Sequence, residues 1–234
     1  MVQTTGRASS RARGLYASQL GKKYAMAITG IILFLYVFAH MVGNLKLFLG
    51  PEDLNHYAEW LRELLTPIVP RTWALWIMRG GLAGAFVIHV VAAAQLTIAN
   101  RRARPVRYAT SDYVAANYAS RTMRWTGIIL ALFVIYHLMH FTWGNAHPDF
   151  VRGDVHHNML IGFQMPAVVG VYILANLALG LHLYHGLWSL FQTMGWNNPR
   201  FNHLRTRFAQ LFAVVITLGN ISMPLAVITG FVRA

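Results

Sequence analysis

Residues 24–49 read YAMAITGIILFLYVFAHMVGNLKLFL, an apolar run whose one charged side chain, Lys46, comes near its end and whose one histidine is His40. A helix that spans a bilayer needs ~20 mostly apolar residues, and this stretch exceeds that. Four further windows meet the same condition, at about 73–99, 124–145, 165–194 and 207–232. The chain is 56% hydrophobic and only 12% charged, too few charges for a soluble domain of this size. The expected fold is therefore all-α, an integral membrane bundle of five transmembrane helices in one domain, 1–234. About twenty polar residues precede the first run, and the run is too long for the core of a secretory signal. It is expected to be a retained span.

The formal net charge is +13, and the charges are segregated. Arg7, Arg11, Arg13, Lys22 and Lys23 precede the first span. Arg101, Arg102, Arg104, Arg107, Arg121 and Arg124 follow the second, and Arg200, Arg205 and Arg207 follow the fourth. Of the seven acids, Glu52, Asp53, Glu59, Glu63, Asp149 and Asp154 fall in the alternate loops, with Asp112 the exception. Lysine and arginine mark the cytoplasmic side. The N-terminus is thus expected in the cytoplasm and the C-terminus outside, as five spans require. The basic face reads as a topology signal and a dock for an acidic protein partner, with membrane lipid around the spans and no nucleic acid. The chain has no cysteine, which excludes disulfides, cysteine-ligated iron–sulfur clusters and a thiolate nucleophile.

The sequence shows no low-complexity linker, and no internal repeat is expected. In the loop 50–72, Pro51-Glu52-Asp53 is a helix start, and Leu54, Ala58, Leu61 and Leu65 follow at helical spacing. Two arrangements share this cause: a helix lying on the outer membrane surface, or a segment packed over the bundle end. The loop 100–123 is basic and carries Tyr108, Tyr113 and Tyr118. The loop 146–164 carries His147, His156 and His157, expected to be solvated rather than to bind a metal. Trp73, Trp76, Trp125, Trp143, Trp188 and Trp196 lie near segment ends, as interfacial belts require.

His40, His89, His137 and His182 each occupy a different apolar segment. Intramembrane ionisable side chains are rare, face the bundle interior and point to function. Relative to segment midpoints, His40 and His137 are displaced outward and His89 and His182 inward. This gives two layers, roughly 10 Å apart at ~1.5 Å per residue. Each layer takes one histidine from each of two helices, the ligand set of two stacked b-type haems. Ligation requires the neutral imidazole, and the other ring nitrogen is expected to donate to a carbonyl one turn back. Gly43, Gly84, Ala92, Gly127, Gly180 and Gly186 offer room for a flat ring or for close helix packing. His140 and His185 each follow a candidate ligand by three residues, on the same face, so spacing alone leaves both doublets open. The extra histidines would bind a propionate, line a quinone site or be satisfied in the core.

Several strings carry a family resemblance. The first span reads Lys22-Lys23-Tyr24-Ala25-Met26-Ala27-Ile28-Thr29-Gly30 and then His40-Met41-Val42-Gly43-Asn44-Leu45. The third reads Arg124-Trp125-Thr126-Gly127-Ile128-Ile129 before His137. The fourth reads Gly170-Val171-Tyr172, then His182, then Gly186-Leu187-Trp188-Ser189. Over roughly residues 18–232 the chain resembles the single-subunit, five-helix cytochrome b anchors of succinate dehydrogenases and fumarate reductases, closest to the diheme succinate:menaquinone oxidoreductases. The resemblance implies an outer haem b on His40 and His137 and an inner one on His89 and His182, with His140 and His185 extra. It implies flavoprotein and iron–sulfur subunits on the cytoplasmic face of a bacterial inner membrane. Electrons would then pass from succinate, within the tricarboxylic acid cycle, to a quinone, expected to be menaquinone. The chain would be an electron-transfer subunit without a dicarboxylate site of its own.

One departure is informative. Related fumarate reductases carry an acid two residues before the fourth-span ligand. Here that position is Gly180, and no acid follows Asp154, so a transmembrane carboxylate relay of that kind is missing. The menaquinone-linked relatives imply an outer carboxylate after the first span, for which Glu63 is the nearest candidate and Glu59 the other. Arg124 is the candidate for a propionate of the inner haem, or else a snorkelling flank. His185 is a further candidate at the cofactor. Two rival readings are the haem anchor of another respiratory dehydrogenase, which would share the histidines but not the first-span string, and a small transporter using the histidines as a proton relay. The transporter would be expected to show broken helices or paired repeats.

Overall fold

The computed structural model describes residue 14 and residues 16–103, 116–196 and 198–233, with the backbone alone for 116–121. Arg7, Arg11, Arg13, Arg104, Arg107, Tyr108, Asp112 and Tyr113, and the side chains of Tyr118 and Arg121, lie outside the described residues. Among the described residues every element is helical and no strand occurs. The helices are α1 (Gln19–Asn44), continued by a 3-10 turn at Leu45–Leu49, α2 (Pro51–Glu63), α3 (Trp73–Arg102), α4 (Ala116–Leu138), continued by a π turn at Met139–Trp143, α5 (Val155–Gly162), α6 (Pro166–Thr193) and α7 (Asn202–Ile228).

Five of these, the segments built on α1, α3, α4, α6 and α7, are long and apolar enough to cross a membrane. Large apolar side chains project outward along them, among them Leu132, Leu174, Leu211 and Leu218, each more than 60% exposed. Such a surface suits lipid rather than water. The tryptophans Trp73, Trp76, Trp125, Trp143 and Trp196 are also exposed. The chain thus has the architecture of a multi-pass membrane protein.

The spans pack as hairpins. α1 lies along α3 and α4 along α6, while α7 packs along α6 and also touches α1. Small side chains make these approaches close. Gly219 of α7 seats the Met41 side chain, and Gly180 of α6 meets Thr217 of α7. The Gly180 contact has a consequence for the missing acid, because a side chain at that position would collide with Thr217.

The segment 50–72 contains the expected helix, α2, with Pro51 in its first turn and Glu52 and Asp53 beside it. It packs on α5 and on the 3-10 turn, with Leu54 buried among Leu47, Met159, Leu160 and Phe163. Asn55 ties the two short helices together, donating to Asp154 Oδ1 at 2.9 Å and accepting the His156 N–H at 3.1 Å. The helix α5 was not foreseen. Its cap is Asp154, whose carboxylate accepts the His157 N–H at 2.9 Å.

Candidate functional site

Each of the four span histidines projects between helices that are not themselves closely packed. The ring centres of His40 on α1 and His137 on α4 are 5.8 Å apart and perpendicular. Those of His89 on α3 and His182 on α6 are 6.4 Å apart, inclined at 63°. Because α1 packs on α3 and α4 on α6, each pair reaches across from one hairpin to the other. A metal held by two imidazole nitrogens at about 2 Å each sets the ring centres roughly 6 Å apart. Both pairs meet this requirement. Among the described residues no group of three or more His, Asp or Glu converges as a metal cage.

The tautomers follow from the neighbours. His89 Nδ1 lies 3.1 Å from the Met26 carbonyl and 3.3 Å from Thr29 Oγ1. His182 Nδ1 lies 3.2 Å from Thr126 Oγ1. A ring that donates through Nδ1 keeps a bare lone pair on Nε2, the form that ligates metal. These acceptors are on the neighbouring helix, not one turn back on the histidine's own helix as expected. The hairpin packing brings a foreign helix within reach before the ring can turn to its own backbone. His137 Nδ1 is 3.2 Å from the Tyr172 hydroxyl. His40 differs, since its Nε2 meets the Asn44 amide at 3.1 Å; ligation through that nitrogen exchanges the Asn44 contact for the metal.

The two halves repeat. Thr29-Gly30-Ile31-Ile32-Leu33 recurs as Thr126-Gly127-Ile128-Ile129-Leu130, and each stands eleven residues before its histidine, His40 or His137. In space the threonine contacts the histidine of the partner helix, and the glycine lies beside that ring. A Cβ on Gly30 would lie 3.4 Å from His89 Cε1, and one on Gly127 would lie 3.6 Å from His182 Cε1. A five-residue string thus recurs on α1 and α4, its threonine set against a histidine of α3 or of α6. It escapes a search for long periods because only five residues are identical. The eleven-residue step also corrects the layer spacing, which is roughly 16 Å along the helix.

The other expected positions are distributed as follows. His140 is buried, and its Nδ1 lies 3.0 Å from the same Tyr172 hydroxyl, while its Nε2 has no hydrogen-bond partner. The π turn starts between the two histidines, yet both rings still reach the same Tyr172 hydroxyl, as residues on one face do. His185 is buried beside Tyr184, and its Nε2 is likewise without a partner. Arg124 is exposed two residues before Thr126. Glu59 is held by Arg62 and Arg71, and hydrogen bonds from Arg62 and then Arg71 keep its carboxyl below the usual range. Glu63 pairs with Arg71 at 4.0 Å and is more than half exposed; among the described residues neither acid bonds to a paired histidine.

Of the glycines named for ring space, only Gly127 borders a histidine. Gly43 is packed on the Tyr57 ring, 2.6 Å from a built Cβ, and nothing lies near Gly84 or Gly186. His147 and His156 are buried, not solvated, because the loop folds around α5. His147 Nε2 donates to the Asn158 carbonyl at 2.8 Å. Tyr172 was quoted in a string without a role, and Arg79 was passed over. The latter lies inside α3, its guanidinium 5.1 Å over the Trp76 ring. An arginine in an otherwise uncharged window was the signal that could have found it.

No protein-family model, curated protein or solved structure matches the chain. The functional reading stands on the geometry of these residues.

Proposed function

We propose that this chain is the membrane-anchoring, diheme cytochrome b subunit of a bacterial succinate:quinone oxidoreductase. The observation that carries the reading is the pair of imidazole couples, with ring centres 5.8 and 6.4 Å apart, at two depths of one apolar bundle. Haem b bound at each couple supplies one-electron carriage through the bilayer. The chain's own contribution is to hold two neutral imidazoles at each level and to fix their orientation, His89, His137 and His182 through partners on adjacent helices and His40 through Asn44 of its own helix. In the couple nearer the start of α1, His89 and His182 serve; in the couple nearer α2 and α5, His40 and His137 serve.

Charge supports the remaining assignments. Lys22, Lys23, Arg101, Arg102, Arg124, Arg200 and Arg207 cluster where α1 begins, and we assign that end to the cytoplasm. It docks the iron–sulfur and flavoprotein subunits, where succinate is oxidised. Quinone, of the menaquinone type, reacts in the membrane at this subunit. The reading is favoured over an anchor for another respiratory dehydrogenase by the first-span string from Lys22 to Leu45. The test is to purify the chain with whatever partners it brings from its membrane, count haem per chain and assay succinate:quinone reductase activity. Two low-spin haems with succinate-dependent reduction are expected. Haem with no succinate dehydrogenase partner would favour the other-dehydrogenase anchor, and an absence of haem would return the chain to the transporter reading.

A further inference from the structure

Threonine within a helix satisfies its hydroxyl by bonding back to its own backbone. Thr29 Oγ1 donates to the Ala25 carbonyl at 2.7 Å, and Thr126 Oγ1 to the Thr122 carbonyl at 2.9 Å. A hydroxyl has one hydrogen and two lone pairs. With that hydrogen committed to its own helix, each threonine presents only lone pairs to the next. What faces it from the next helix is a histidine Nδ1, 3.3 Å away for His89 and 3.2 Å for His182. Only an N–H can meet a lone pair favourably. The glycine after each threonine lies beside the same ring, a Cβ built on it standing at 3.4 or 3.6 Å, ordinary contact distance.

We propose that Thr29 and Thr126 are positioning residues for the His89–His182 couple, fixing both rings as Nδ1–H tautomers so that the two Nε2 lone pairs are presented to one another. The inference rests on the haem reading above and adds to it the two side chains that act through the ligands. The couple at the other layer is set differently, by Tyr172 and Asn44, so the device belongs to one layer alone.

The two threonines are not equivalent, and the difference gives the proposal its sharpest consequence. His89 Nδ1 has a second acceptor, the Met26 carbonyl at 3.1 Å. Among the described residues His182 Nδ1 has Thr126 alone. Loss of the Thr126 hydroxyl strips His182 of its acceptor, whereas loss of the Thr29 hydroxyl leaves His89 with a carbonyl. An acceptor on the distal N–H makes the imidazole a better donor to the metal and so favours the oxidised iron.

The experiment uses the intact complex carrying Thr126→Val, Thr29→Val or the corresponding serine variants. Redox titration and electron paramagnetic resonance are read for each haem, the latter reporting the mutual angle of the two axial rings. Thr126→Val is expected to shift the reduction equilibrium of one haem about fivefold to tenfold toward the reduced form, the worth of one hydrogen bond, and to move its g-values. Thr29→Val should shift the same haem by less, the serine variants should restore both, and the second haem should not move. Two haems present with Thr126→Val unchanged, or Thr29→Val equal to or exceeding it, or a shift falling on the haem lost in His40→Ala, would overturn the positioning role while leaving the haem reading intact. Wild-type protein without haem overturns both. Should Thr126→Val fail to assemble, Thr126→Ala and Thr29→Val carry the same test.

Discussion

His89 on α3 and His182 on α6 place their ring centres 6.4 Å apart, inclined at 63°, although their helices are not close neighbours in the bundle. The couple is therefore made by two side chains and not by the approach of two backbones.

It follows that the four histidine variants sort into two groups. Under the proposed diheme reading, His89→Ala and His182→Ala should each lose one haem, and His40→Ala and His137→Ala should each lose the other, as counted by difference spectra per chain. His140→Ala and His185→Ala should keep both. A variant of His40 that lost the same haem as His182→Ala would refute the pairing.

Tyr172 is 5% exposed, with its hydroxyl 3.2 Å from His137 Nδ1 and 3.0 Å from His140 Nδ1. One hydroxyl donates to one ring and accepts from the other. Tyr172→Phe leaves an N–H and a lone pair unpaired in an apolar setting, a loss of about 1–3 kcal/mol. Thermal unfolding of the variant in detergent should fall below that of Tyr136→Phe, whose ring stacks on His140. Equal melting temperatures would show that Tyr172 bridges nothing.

Glycines at two contacts predict opposite outcomes. A Cβ on Gly162 would lie 2.9 Å from His140 Cε1 and 3.0 Å from His147 Nε2, between two buried rings. Gly162→Ala should cost about 1–3 kcal/mol through overpacking. Gly127→Ala places its methyl at an ordinary 3.6 Å from His182 and should be neutral or stabilising, since alanine favours a helix by about 1 kcal/mol over glycine. Stability measurements on the pair of variants decide the matter, and a reversed order would contradict the packing described.

The Asp154 cap should make the α2–α5 contact acid-sensitive. Its carboxyl is held below the usual range, first by the His157 backbone N–H and then by the Asn55 amide. A depressed folded-state value means stabilisation that is present above the unfolded carboxylate range and lost as pH falls through the folded value. Below about pH 4, amides of 155–162 should exchange faster than intrinsic rates explain. Asp154→Ala should produce the same loosening at pH 7, at about 1 kcal/mol for a lost cap. Protection unchanged between pH 7 and pH 3 would count against it.

The spans, the helix after Pro51 and the four histidines were all readable from periodicity and composition, because these are properties of contiguous residues. What periodicity does not contain is the identity of partners across helices. His89 meets Met26 and Thr29, and His137 meets Tyr172, through packing between segments far apart in sequence. The helix α5 is short, and although Asp154 is a local cap, the contact that seats it comes from Asn55 in α2, about a hundred residues away in sequence. The Thr-Gly-Ile-Ile-Leu repeat was legible all along, and its offset to the histidines would have given the layer spacing.

The division of each couple between the two halves of the chain has a consequence for how the protein is made. Helices α1 and α3 leave the ribosome first, with His40 and His89 unmatched. His40 gains its counterpart once α4 has entered the membrane, whereas His89 waits for α6. The two couples thus become complete in sequence, His40–His137 ahead of His89–His182, so chain order alone staggers two pairings that look alike in the finished molecule.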